Sequence, residues 1–277
     1  MQGHHDAGRL AARLTGQIRG VMEEAARVAL LPRFRTLADT DREEKSPGEL
    51  VTVADRECEA LLSDALARLL SEASIVGEEA AHSAPEVMGR LADELCWVID
   101  PLDGTGYFAA GQEPFGIMIA LAAGGRAVGG WIFDPLSGRF CWAALGEGCW
   151  VGEQRIRTDT GAAATTIGLS PLLQRRPERF AAVHARMAGR LETHEIPRCA
   201  AAHYPAMLLG APALTYYERT LPWDHAPGAL MIEEAGGRVA RLDGSPYRLD
   251  EDRIGLLAAT DAASWDEIAA LLQDLPE

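Results

Sequence analysis

Residues 97–105 read WVIDPLDGT, an apolar run that leads straight into two carboxylates, Asp100 and Asp103. The run predicts a buried strand, and Pro101 and Gly104 predict a tight turn at its end. Two carboxylates three residues apart on a rigid turn can converge on one point, and carboxylates, carbonyls and water are the ligands that Mg²⁺ accepts. The same residues are also typical of a plain turn with an aspartate cap. This segment alone leaves both interpretations open.

Two further acidic segments have the same ambiguity. Glu78 and Glu79 follow a short apolar stretch that ends at Gly77. Adjacent carboxylates repel each other unless a cation lies between them, but acidic residues at a helix N-terminus would explain the pair equally well. Asp224 opens a predicted helix that ends at Gly236-Gly237, and it is either a metal ligand or the helix N-cap.

The composition is that of a globular chain with an acidic surface. Of 277 residues, 48% are hydrophobic, and 26 basic against 41 acidic residues give a net charge of −15. A nucleic-acid or anionic-membrane surface needs clustered cations, so we expect neither partner. With this charge, an anionic substrate would have to be received by bound metal ions.

Lys45 is the only lysine, and all other basic residues are arginines. In a chain that otherwise uses arginine, a lysine indicates a position that needs a compact ammonium on a flexible stem. The alternative is that Lys45 is a solvated loop charge.

The five cysteines are odd in number and form no CxxC motif. No signal peptide or apolar run of membrane-spanning length is evident. We therefore expect reduced thiols and a cytoplasmic protein.

Hydrophobic periodicity predicts an α+β fold. Helices are expected at about 7–30, 55–70, 177–191 and 224–235, near Pro205, and at the C-terminus up to Leu272. Strands are expected at 74–77, 96–99, 115–123, 128–133, 139–143 and 214–217, and near Thr166, Val239 and Leu256. Residues 33–48 are predicted to be an exposed loop. An antiparallel meander followed by mixed elements favours a layered fold. We expect one catalytic unit over 1–277, with an N-terminal part at 1–145 that holds the site and a C-terminal part at 146–277.

Together, the acidic segments resemble the inositol monophosphatase family of metal-dependent, lithium-sensitive phosphatases. The matching stretches are LVT at 50–52 followed by Asp55, GEE at 77–79, DPLDGT at 100–105, WD at 223–224 and EAGG at 234–237. They follow the family's order and spacing over most of the chain. The resemblance implies the layered α-β-α-β-α sandwich of the inositol monophosphatase and fructose-1,6-bisphosphatase type, and a homodimer.

The resemblance also implies roles for individual residues. The expected ligands of two or three Mg²⁺ ions are Glu78, Asp100, Asp103, Asp224 and the backbone carbonyl of Leu102. Thr105, held by Asp55, would orient and deprotonate the attacking water together with Glu78. The Gly104 and Thr105 amides would receive the phosphate. Lys45 falls one residue out of step with the family's lysine on a mobile loop beside the metal site.

The substrate side is where the chain departs from the family pattern. Glu218 matches a family glutamate that accepts a hydrogen bond from the substrate, but Ala201 and Ala202 stand where Gly-Ser-Ala is usual, and Gly106 and Tyr107 replace a commoner polar pair. The expected function is hydrolysis of a small polyol or sugar-like phosphate ester, with myo-inositol 1-phosphate as first candidate. Histidinol phosphate, fructose 1,6-bisphosphate and adenosine 3′,5′-bisphosphate are the alternative substrates. A regulatory binding protein that retains the phosphatase fold is the alternative to an enzyme.

Overall fold

A computed structural model describes residues 2–46, 49–158, 164–210 and 212–276. The α-helices are α1 Gln2–Ala25, α2 Val53–Leu69, α3 Glu78–Ser83, α4 Thr105–Ala109, α5 Pro177–Met187, α6 Ala200–Leu208, α7 Pro222–Glu234 and α8 Ala262–Leu272. A π-helical turn, Ala26–Leu30, extends α1, and 3-10 turns lie at Asp39–Asp41, Pro85–Ala92 and Pro171–Arg175.

Strands form one hairpin and two larger sheets. Their bounds are β1 Arg42–Ser46, β2 Glu49–Thr52, β3 Ser74–Gly77, β4 Cys96–Asp103, β5 Gly116–Ala123, β6 Arg126–Asp134, β7 Arg139–Ala144, β8 Gly148–Val151, β9 Gln154–Ile156, β10 Thr166–Leu169, β11 Glu192–Glu195, β12 Leu214–Tyr217, β13 Arg238–Ala240 and β14 Leu256–Ala259. The seven-stranded sheet has the order β3-β4-β5-β6-β7-β8-β9, and the five-stranded sheet has the order β11-β10-β12-β14-β13.

Helices and sheets alternate in five layers. α1 and α2 pack on one face of the seven-stranded sheet. α6 and α7 lie between its other face and the five-stranded sheet, and α5 and α8 cover the far side of the five-stranded sheet. This order confirms the predicted α+β sandwich. Because helices cover both faces of the central strands, β5 is buried at every residue and reads as a continuous apolar run.

Several elements differ from the sequence predictions. The expected loop at 33–48 contains β1, which pairs with β2 in an antiparallel hairpin; its residues 47 and 48 lie outside the described ranges. The helix expected at 177–191 ends at Met187, and β11 follows it. The seven-stranded sheet continues through β8 and β9 beyond the division expected between residues 145 and 146. In the described part of the chain, no helix has the length and apolar character needed to cross a bilayer.

Candidate active site

A cavity of about 450 Å³ opens where β4 ends and where α4, α6 and α7 begin. Its wall contains every residue that the sequence assigned to metal or phosphate: Glu78, Asp100, Leu102, Asp103, Gly104, Thr105 and Asp224. The fold therefore brings the three acidic segments, which are far apart in the sequence, to one place.

Strand direction explains how the first two segments meet. β3 and β4 are parallel, with Gly77 paired to Ile99, so their C-terminal ends lie at the same edge of the sheet. Glu78 is the first residue of α3 after β3, and Asp100 follows Ile99 on β4. Asp224 reaches the same edge from the first turn of α7. Each of the three carboxylates thus comes from a different element.

β4 ends in an irregular segment that leads into a turn at Gly104. Asp100 Oδ1 accepts a hydrogen bond of 3.0 Å from the Leu102 amide, where the pairing of β4 with β5 shifts register between Asp100 and Asp103. Gly104 adopts a positive φ of 87°, and a Cβ atom there would lie 2.7 Å from the Pro114 carbonyl oxygen. Both the backbone conformation and the close approach require glycine. This turn fixes the start of α4, where Thr105 is the first residue.

Asp55 and Thr105 form the contact that the family resemblance predicts. The Thr105 hydroxyl oxygen lies 3.0 Å from Asp55 Oδ1 and 2.9 Å from the Leu102 carbonyl oxygen, and its single proton is donated to one of them at a time. The Thr52 amide and hydroxyl hold the other oxygen of Asp55 at 2.7 and 2.6 Å. Burial raises the pKa of Asp55 to about 7, against the effect of the Thr52 bonds. A carboxylate with this pKa can take up or release a proton near neutral pH.

The remaining carboxylates are held close enough to perturb one another. Burial raises the pKa of Asp100 well above its usual value, and the negative charges of Glu78, Asp103 and Asp224 raise it further. Burial also raises the pKa of Asp103 to about 6, although a 2.5 Å hydrogen bond from the Ala201 amide opposes the shift. The cavity therefore concentrates negative charge that the fold leaves partly uncompensated.

This donor set has the chemistry of a magnesium site. Carboxylate and carbonyl oxygens are the hard ligands that Mg²⁺ takes, and a cation would relieve the repulsion among the buried carboxylates. Within the described ranges, no three His, Cys, Asp or Glu side chains are arranged so that together they could hold one ion. Asp100 and Asp103 are turned towards backbone amides, and Glu78 is turned towards Lys45. The residues fit Mg²⁺ by type, and binding requires some of these side chains to rotate.

Lys45 lies behind the cavity. Its ammonium is 3.2 Å from Glu78 Oε1 and forms a second ion pair with Glu79, and only 6% of the side chain is exposed. Burial disfavours the charged lysine, but the two glutamates outweigh it and raise the pKa of Lys45. The lysine is therefore not a solvated loop charge; its single positive charge offsets part of the negative charge of the acidic pair that begins α3.

Glu218, by contrast, does not line the cavity. Its side chain is 4% exposed, with Oε1 2.9 Å from Arg176 Nε and Oε2 3.1 Å from Arg179 Nε. Tyr216 also donates a hydrogen bond of 3.0 Å to Oε2. These partners hold Glu218 in a buried ion-pair cluster, away from the position that the sequence analysis expected for a substrate contact.

Ala201 and Ala202 line a separate cavity of about 170 Å³. The Ala201 amide holds Asp103, so this residue supports the carboxylate cluster from the side. The wall opposite the acidic residues is instead formed by Leu50, Tyr107, Leu172, Ile196, Pro197 and Arg198. Leu50 belongs to the LVT match and Tyr107 to the departures noted above, but nothing in the sequence marked the others, which lie in a 3-10 turn and in the loop between β11 and α6.

Comparison with known proteins points to a phosphatase family. A profile described as the Inositol monophosphatase family matches residues 16–277. An inositol-1-monophosphatase of Mycobacterium bovis is 32% identical over 240 residues, which cover 84% of this chain and 81% of that protein. The chloroplastic phosphatase IMPL1 of Arabidopsis thaliana is 31% identical over 217 residues, 73% of this chain and 56% of the relative. The Nus factor SuhB of Escherichia coli K12 is 28% identical over 215 residues, 76% of this chain and 79% of that protein.

Solved structures share the fold over nearly the whole chain. The Thermotoga maritima IMPase TM1415 has a TM-score of 0.75 at 22% identity and covers 95% of this chain and 98% of its own. The suhB protein of Bartonella henselae has a TM-score of 0.77 at 21% identity, with 96% and 99% covered. A structure of SaIMPase-II with inositol monophosphate bound has a TM-score of 0.74 at 20% identity, with 95% and 93% covered.

Proposed function

Because the chain belongs to the inositol monophosphatase family of phosphomonoesterases, we propose that it hydrolyses a small phosphate monoester by Mg²⁺-dependent attack of water. The observation that carries the proposal is the convergence of Glu78, Asp100, Asp103 and Asp224 on one cavity wall, beside the Asp55–Thr105 pair. Phosphate monoesters react extremely slowly without help, so charge on the attacking and leaving oxygens must be stabilised. A site built from carboxylates does this through bound cations.

The four carboxylates and the Leu102 carbonyl would hold two or three Mg²⁺ ions. When bound, the metal lowers the pKa of a coordinated water and offsets the charge of the ester. Asp55, whose pKa burial raises to about 7, would accept a proton through the Thr105 hydroxyl. The amides of Gly104 and Thr105 would orient the phosphate oxygens at the start of α4. Lys45 would hold Glu78 and Glu79 in place from behind.

The proposed substrate is a polyol or sugar-like phosphate, with myo-inositol 1-phosphate as first candidate. Support comes from relatives named inositol-1-monophosphatase and from the neighbour solved with inositol monophosphate. The same neighbour was also solved with 2′AMP, and in this chain Glu218 is occupied by two arginines. Histidinol phosphate, fructose 1,6-bisphosphate and adenosine 3′,5′-bisphosphate therefore belong in the same test.

We also propose that the protein is a homodimer and that it is cytoplasmic. Light scattering measures the oligomeric state, and cell fractionation measures the location.

Phosphate release with Mg²⁺, measured over these four substrates, tests the proposal. We expect activity on at least one, lost in Asp224→Asn and retained in Asp266→Asn, which removes the same charge from an exposed position on α8. Release of phosphate from none of the four by folded, Mg²⁺-saturated protein would favour the alternative of a regulatory binding protein. The similarity to the Nus factor SuhB is the reason to keep that alternative in the design.

A further inference from the structure

Glu59 is a buried carboxylate on α2 that the roles described above do not use. It is 7% exposed, and its two oxygens point at the beginning of α3. Oε2 accepts a hydrogen bond of 2.8 Å from the Glu79 amide, and Oε1 accepts one of 2.9 Å from the Ala80 amide. These two amides are among the donors that an α-helix leaves unsatisfied at its N-terminus. Glu59 therefore fixes the first turn of α3, the turn that carries Glu78.

The chain leaves room for this carboxylate at Gly77. A Cβ atom on residue 77 would lie 2.3 Å from the Glu59 carboxyl carbon, and 2.4 and 2.7 Å from its oxygens. Contacts this short require the carboxylate to move. Because Gly77 has an ordinary φ of −101°, the close approach of Glu59, and not the backbone conformation, is what calls for glycine here.

A second carboxylate on the same helix holds the other half of the site. Asp55 lies four residues before Glu59, so the two side chains share one face of α2. Asp55 bonds the Thr105 hydroxyl at the start of α4, while Glu59 bonds the amides at the start of α3. One helix face thus spans the two turns that present Glu78 and Thr105 to the cavity.

We propose that Glu59 is a positioning residue that sets Glu78 relative to the Asp55–Thr105 pair and so determines how readily the site binds Mg²⁺. The inference rests on the proposed function, since it assumes that Glu78 is a metal ligand. Glutamine at position 59 can accept from one amide, but its NH₂ group then faces the N–H of the other. The first turn of α3 then loses one of its two hydrogen bonds to residue 59. As a result, only a minority of molecules hold Glu78 in the position that binds Mg²⁺. If that state falls to about one in ten molecules, the apparent Mg²⁺ affinity falls about tenfold.

The test is calorimetric titration of Mg²⁺ into metal-free Glu59→Gln, together with the Mg²⁺ dependence of phosphate release. We expect the Mg²⁺ dissociation constant and the half-saturating Mg²⁺ concentration to rise about tenfold, while kcat at saturating Mg²⁺ falls by less than about threefold. Glu57→Gln is the matched control, because Glu57 lies on the same helix but pairs with Arg33 at the surface, where 39% of its side chain is exposed. A shift in Glu59→Gln no larger than that in Glu57→Gln would overturn the proposal.

Gly77→Ala provides a second route to the same displacement and keeps the test decisive if Glu59→Gln fails to fold. Its methyl group should push the Glu59 carboxylate away and raise the Mg²⁺ dissociation constant to a similar extent. Where both variants fold, the double variant should show no more than the shift of either single change, because both act on one contact. Additive shifts, or an unchanged affinity in Gly77→Ala, would contradict the proposed contact. Absence of Mg²⁺ binding by the wild type would instead refute the proposed function, so the two failures are distinguishable.

Discussion

Replacing Asp100 by asparagine should abolish activity while making the metal-free protein more stable. Asp100 is 1% exposed, and burial and the charges of Glu78, Asp103 and Asp224 all oppose its ionisation. Asparagine retains the oxygen that accepts the Leu102 amide, so the turn after β4 keeps its hydrogen bond. The substitution therefore removes a buried charge and little else from the metal-free fold.

The size of the effect follows from the cost of that charge. An uncompensated buried polar group costs roughly 1–3 kcal/mol, and more when it is charged, so removal of this charge should stabilise the metal-free protein by at least roughly 1–3 kcal/mol. For a chain of this length that is a rise in Tm of about 2–6 °C. Thermal melts in EDTA at pH 8 measure it. In Mg²⁺ the order should reverse, because the wild type gains binding energy that the variant has lost, and kcat should fall at least about 100-fold.

Asp64→Asn is the matched control. Asp64 is an exposed residue of α2 that does not line the cavity, so this substitution removes one negative charge from the surface only. It should leave Tm in EDTA and kcat close to the wild type. Turnover of Asp100→Asn near the wild-type value at saturating Mg²⁺ would refute the assignment of Asp100 as a ligand. A lower Tm than the wild type in EDTA would refute the electrostatic reasoning, because it would mean that the charge stabilises the empty site.

Three further outcomes are expected. Lys45→Ala should change stability in the opposite direction to Asp100→Asn: Tm in EDTA should fall by about 2–6 °C, because Glu78 loses its buried counter-charge. The same variant should reduce kcat, and Lys45→Arg should restore part of it. Glu218→Gln should cost about 2–3 kcal/mol in urea unfolding, since it removes the negative charge that the buried Arg179 shares with Arg176, which is 42% exposed. Arg179 keeps its hydrogen bonds to Tyr216 and to the Pro276 carbonyl. The kcat/KM ratio between a polyol phosphate and an aryl phosphate should not change. Burial raises the pKa of Asp55 and of Glu59 to about 7, from their ordinary values of 3.8 and 4.5. These two groups therefore stabilise the folded, metal-free protein fully below about pH 4, and that contribution is lost as the pH rises through 7. Burial lowers the pKa of His203 to about 4 and that of His225 to about 3, which acts in the opposite direction below pH 6.5. Urea midpoints in EDTA should therefore fall most clearly between about pH 6.5 and 7.5.

The sequence predicted those features whose causes are local. β4 and the turn after it are specified by an apolar run, a proline and a glycine that are adjacent in the chain, and the helix over 224–235 is bounded by its own proline and glycines. The hairpin of β1 and β2 could not be predicted in this way. β1 reads REEKS, which has no apolar alternation, and it is a strand because it pairs with β2. Its strand character is tertiary in origin.

The same distinction explains the outcome at the site. Asp100 and Asp103 end β4, and Thr105 begins α4 only two residues after Asp103, so their common position follows from their spacing. The environment of Glu218 depends on Arg176, between a 3-10 turn and α5, and on Arg179 in α5, both about 40 residues earlier in the chain. The match of Glu218 to a family glutamate contains no information about those partners. Sequence spacing therefore brings the proposed metal ligands to one cavity wall, but it gives no sign of the ion pairs that hold Glu218.

The partners of the buried carboxylates separate those that can serve a metal from those that serve the fold. Asp100 and Asp103 are held by backbone amides. An amide dipole orients a carboxylate and lowers the cost of burying it, but it leaves the net negative charge in place. Glu218 is held by two guanidinium groups, which cancel that charge and complete the ion pair. A carboxylate of the first kind still attracts a cation, whereas the charge of Glu218 is already balanced. Glu78 is intermediate, because it shares the single Lys45 ammonium with Glu79 and keeps part of its charge. Glu59 belongs to the first kind but faces the helix start and not the cavity, so its charge acts on Mg²⁺ only through the turn that it holds.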